Sequence, residues 1–160
     1  MTENSGAVSG WTRAAILLGS VLFIFALTVS AIIVPRLRLL HLLQALIYVA
    51  VIVLTRRNSA WGFGAGAIIA TAWNCLNLFV THLIQAGAGQ LWSLLRTGHV
   101  SRPDTLMVMV GGVAHLLLII ACLTAFLRLP RSMKGWGQFV AGGLLSLLYL
   151  VLIVATTAPH

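Results

Sequence analysis

Carboxylates are almost missing from this sequence. Its 160 residues include two acids, Glu3 and Asp104, against ten Lys and Arg. Charged residues of either sign make up 8%, about a third of their share in an ordinary soluble domain. Neither acid falls in the interior of an apolar run, Asp104 standing at the very start of one, so paired-carboxylate catalysis and intramembrane carboxylate proton relays have nothing to work with. Cysteine is equally scarce. Cys75 and Cys122 both sit in apolar runs and form no CxxC, which excludes a disulfide framework. They read as small buried hydrophobes. Proline occurs only outside the apolar runs or at their ends, so long helices can run unbroken. Phosphate-binding loops, zincin motifs and nucleophile elbows do not occur. A soluble-type active site has nowhere to sit, and the reading leans away from an enzyme.

What the sequence does have is apolar length. It is 60% hydrophobic, with a mean hydropathy of +1.04. A soluble fold of this size needs polar residues to cover its surface. Here lipid must take that role. About 20 apolar residues cross a bilayer as a helix, and five such runs are legible, at 13–34, 37–54, 61–85, 104–127 and 137–157. Arginines and prolines punctuate them. The expectation is an all-α fold: a polytopic integral membrane helix bundle of one domain spanning residues 1–160. The first run also has features of a secretory signal, with Arg13 ahead of it and Val29-Ser30-Ala31 as a small-residue cleavage motif. Cleavage there would leave four spans.

The formal charge of +8 raises the question of nucleic acid. The basic residues stand in small groups between apolar runs and form no continuous stripe, so nucleic acid is not an expected partner. They read as anchors at the ends of spans, and they attract anionic headgroups. One end collects Arg13, Arg56, Arg57, Arg128, Arg131 and Lys134, and the other Arg36, Arg38, Arg96 and Arg102. The imbalance favours a cytoplasmic N-terminus in a plasma or inner membrane. Trp11, Trp61 and Trp136 mark the starts of spans one, three and five, as an aromatic belt does.

Residues 86–103 form the one long connection. Within it 90–97 reads as a short interfacial helix capped by Gly98. Ser101, Pro103 and Asp104 then read as the N-cap and first turn of span four. Small residues mark close helix contacts, within the bundle or in a homo-oligomer: Gly62, Gly66 and Ala70 in span three, Gly111 and Gly112 in span four, Gly142 and Ser146 in span five.

Polar side chains inside the spans carry the functional reading, because each is costly in hydrocarbon unless satisfied. His41, Gln44 and Tyr48 share a face of span two. Asn74, Asn77, Thr81 and Gln85 share one in span three, with His82 beside them, and His115 lies near the middle of span four. Gln44, Tyr48, Asn74, Asn77, His82 and His115 are the candidate ligand-binding residues. The leading reading is a site that binds or passes a small or apolar ligand. A second is a haem b or quinone site in an accessory subunit of a membrane redox complex, using His41, His82 and His115. A third is helix-to-helix hydrogen bonding with no ligand.

Overall fold

The computed structural model describes residues 8–157, leaving Glu3 and His160 outside the described residues. Six α-helices follow one another: α1 (Gly10–Ile33), α2 (Arg38–Arg56), α3 (Ala60–Cys75), α4 (Leu83–Thr97), α5 (Pro103–Leu127) and α6 (Met133–Thr157). A 3₁₀ turn at Pro35–Leu37 leads into α2, and a π-helical turn at Leu76–Val80 prolongs α3. With these extensions, five helical segments are long and apolar enough to cross a membrane. The chain is an all-α membrane bundle.

Packing follows the small residues. A Cβ on Gly19 of α1 would crowd the Ala114 carbonyl and Leu118 of α5. On Gly64 of α3 it would overlap the backbone of Phe139 of α6, and on Gly142 that of Trp61. Ser146 locks the same α3–α6 seam, its Oγ donating to the Gly143 carbonyl at 2.8 Å and reaching the Ala65 carbonyl at 3.5 Å. Gly62 packs against α2, and Gly66 lies between Val51 of α2 and Cys122 of α5. All these glycines make their close contacts inside one chain.

Large apolar residues point outward along the bundle. Phe25, Leu42, Leu116, Ile120, Leu148 and Val151 are all exposed, as a lipid-facing surface requires. Trp11, Trp61 and Trp136 share the end that also holds Arg13, Arg56 and Arg131. There Arg13 donates to Asn58 Oδ1 at 3.0 Å, tying α1 to the α2–α3 turn.

The structure departs from the sequence reading around span three. That span ends at Val80, not at 85. The π-turn closes with the Thr81 amide bonded to the Leu76 carbonyl at 3.0 Å, and His82 follows in the left-handed region at φ 55°. These two residues break the helix. The chain resumes as α4, which begins well before the expected 90–97. Ile84 packs on Gly112, Gly87 on Thr105 and Met109, and Gln90 on the 101–102 segment, so α4 runs antiparallel along the first turns of α5. Gly98 does cap α4 with φ 69°. The expected Ser101 cap is not formed. The Ser101 amide and hydroxyl both go to Gln90 Oε1, at 3.0 and 3.1 Å, as does the Arg102 amide at 3.0 Å. Arg102 precedes α5 instead, and Asp104 pairs with it at 3.2 Å.

Candidate functional site

A cleft of about 340 Å³ opens at the Asp104 end of the bundle. α1 contributes Phe23, Ala26 and Leu27, α2 contributes Leu40, His41 and Gln44, and α5 contributes Thr105 and Val108. Trp73, Leu76 and Asn77 form the wall from α3 and its π-turn, and Leu150 and Val154 that from α6. Arg36 and Asp104 also line it. The lining is mainly apolar with a few polar groups, the usual make-up of a small-molecule site.

The π-turn shapes one wall. A single π-turn inserted in an α-helix re-aims the side chains that follow it. Asn77 is buried in that turn, its Nδ2 donating to the Trp73 carbonyl at 3.0 Å and its Oδ1 accepting from Thr81 Oγ1 at 3.2 Å. On the facing wall His41 is buried and its Nδ1 has no hydrogen-bond partner. That nitrogen has almost no accessible surface, and it shares its unpaired state with Ser20 Oγ, Asn74 Oδ1 and His115 Nδ1 elsewhere in the bundle.

Beneath the cleft lies a closed aromatic cluster. His115 is 0% exposed. Its Nε2 shares a 2.7 Å hydrogen bond with the hydroxyl of Tyr48. Phe23 stacks on the imidazole with ring centres 3.9 Å apart, and Trp73 meets it edge-on at 4.8 Å. Phe23 and Trp73 therefore belong to both the cluster and the cleft. Toward the Arg13 end, Val51, Phe63, Ala70, Leu118 and Cys122 have no accessible surface.

The six candidate ligand-binding residues thus fall into three groups. Gln44 and Asn77 line the cleft. Tyr48 and His115 lie below it, bonded to each other. Asn74 turns to α5, where its Nδ2 reaches the Gly112 carbonyl at 3.3 Å, and its Oδ1 is buried without a partner. His82 is exposed at the start of α4, with its Nδ1 at 3.4 Å from Gln85. Of the histidines considered as haem ligands, His41 alone lines the cleft. Among the described residues no three His, Cys, Asp or Glu side chains come together. Sequence reasoning missed Phe23 and Trp73, which carry no polar signal to set them apart from other core aromatics. It also gave Asp104 a capping role and did not place it at a cleft.

No family model, no curated protein and no solved structure matches this chain. The fold and the cleft are therefore the whole basis for a functional reading.

Proposed function

We propose that this membrane protein holds a small amphipathic ligand, with an apolar body and a polar head, in the cleft at the Asp104 end. It binds and does not perform chemistry. The observation that carries this reading is a mainly apolar cleft of about 340 Å³ that gathers His41, Gln44 and Asn77 as polar groups on its walls. A purely structural bundle leaves no void, and this one keeps an open cleft between α1, α2, α5 and α6. Binding is favoured over passage because the Phe23, Tyr48, Trp73 and His115 cluster closes the floor. A quinone ring is one ligand of the proposed class. Its carbonyls match donors on His41 and Gln44, and its ring matches the Phe23 and Trp73 faces. A haem held by two histidines gains no such support, since the Nε2 of His115 is engaged by Tyr48. The arginine imbalance supports a cytoplasmic Arg13 end, with the cleft on the opposite side.

The test is photolabelling of the reconstituted protein with diazirine-bearing quinone and fatty-acyl probes, followed by mass-spectrometric mapping. Labels are expected on Leu40, Leu76 and Val108. They should be lost in Ala26→Trp, which fills the cleft. Labels spread over the lipid-facing helices and unchanged in Ala26→Trp would overturn the reading.

A further inference from the structure

At the opposite end of the molecule lies a second cavity, of about 300 Å³, and it differs in kind from the cleft. It is bounded by the Asn58–Ala60 turn before α3, the end of α5 and the start of α6. Arg131, Lys134, Ser132 and Gln138 supply its polar side, and Phe126, Leu127, Leu129 and Trp136 its apolar side. Neither Arg131 nor Lys134 forms an ion pair among the described residues, where the single acid, Asp104, starts α5 at the far end. Two cations therefore face one hollow with no carboxylate beside them among the described residues. The apolar side is continuous with lipid-facing surface. Leu127 is 61% exposed and Met133 88%, beside a Trp136 that packs edge-on to Phe126 with ring centres 4.7 Å apart.

A hollow with a cationic floor and a wall that merges into the lipid face matches one ligand chemistry: a phosphate group carrying acyl chains. We infer that this cavity binds the headgroup of an anionic phospholipid, with Arg131 and Lys134 on the phosphate and the chains lying along Leu127 and Trp136. The inference does not depend on the cleft. Its occupant, its end of the molecule and its chemistry are all different.

The experiment uses the whole protein in mild detergent. Native mass spectrometry counts bound lipid during titration with dioleoyl-phosphatidylglycerol, with dioleoyl-phosphatidylcholine as the neutral comparison and inorganic phosphate as the soluble one. One phosphatidylglycerol should be retained in preference to phosphatidylcholine. Arg131→Gln with Lys134→Gln should weaken that binding about thirtyfold, at about 1 kcal/mol for each basic residue near a headgroup. Arg38→Gln with Arg96→Gln removes the same charge from the opposite end of the molecule, beyond a Debye length from the cavity, and should leave the affinity within about threefold of the parent. Should the cavity variant not fold, phosphatidylglycerol crosslinked to the parent protein and mapped to residues 126–138 gives the same answer. Equal loss in both double variants would make the effect a general one of charge and overturn the site. Competition by millimolar inorganic phosphate that displaces the lipid would assign the cavity to a free anion and overturn the lipid.

Discussion

His115 shows how a polar side chain is accommodated in an apolar core. Its ring is stacked, edged and hydrogen-bonded on three sides by Phe23, Trp73 and Tyr48. Tyr48→Phe removes one partner and keeps the shape, leaving Nε2 bare. The expected cost is about 1–3 kcal/mol, that of leaving a buried polar atom unsatisfied, read from the midpoint of unfolding in mixed detergent micelles. Histidine and tyrosine were legible in the sequence as members of a polar cluster. Their pairing was not, because it depends on the rotation of α5 about its axis. That same rotation brings Gly112 of α5 to face Asn74 of α3, which bonds to its carbonyl and does not line the cleft. Cysteine gives a second check at this scale. Cys75 is exposed and Cys122 is fully buried. A lipid-soluble maleimide should modify Cys75 and leave Cys122 until the protein is denatured.

Helices carry their own tests. Gly64→Ala places a methyl group into the backbone of Phe139. The α3–α6 seam should lose at least the roughly 1–3 kcal/mol typical of overpacking. Gly89 lies in α4 with open space around it. Gly89→Ala should instead stabilise by up to about 1 kcal/mol, the helix-propensity difference. The break at His82 makes a sharper pair. His82→Val forces a β-branched residue into the left-handed region and should cost about 1–2 kcal/mol, while His82→Gly should be neutral or stabilising. Spans one, two, four and five were legible because arginine or proline stands at their ends. The end of span three was not. Thr81, His82 and Gln85 continue the polar stripe of Asn74 and Asn77 at helical spacing, so nothing in the pattern marks the π-turn or the left-handed residue after it.

Viewed whole, the molecule is uneven along its length. Toward its Arg13 end glycines draw α3 against α6 and α2 and the hollow lies outside that seam, at the helix ends, while its Asp104 end separates around the cleft and carries α4 as an outer layer. Gln90 binds that layer to α5 by accepting three hydrogen bonds from Ser101 and Arg102. Gln90→Ala should therefore speed amide exchange through residues 98–102 and leave exchange in α3 and α6 unchanged. The membrane class follows from composition and would survive many substitutions. The position of the cleft depends on one irregular turn and could only come from the structure.

The closed floor has a consequence for exchange. A ligand held as proposed has no way out through the aromatic floor, so it leaves on the side by which it entered. Vesicles holding the protein in random orientation would then offer about half their sites to a membrane-impermeant ligand added outside. Disrupting the bilayer would reveal the other half. Occupancy would saturate with time and would not drive any gradient to collapse.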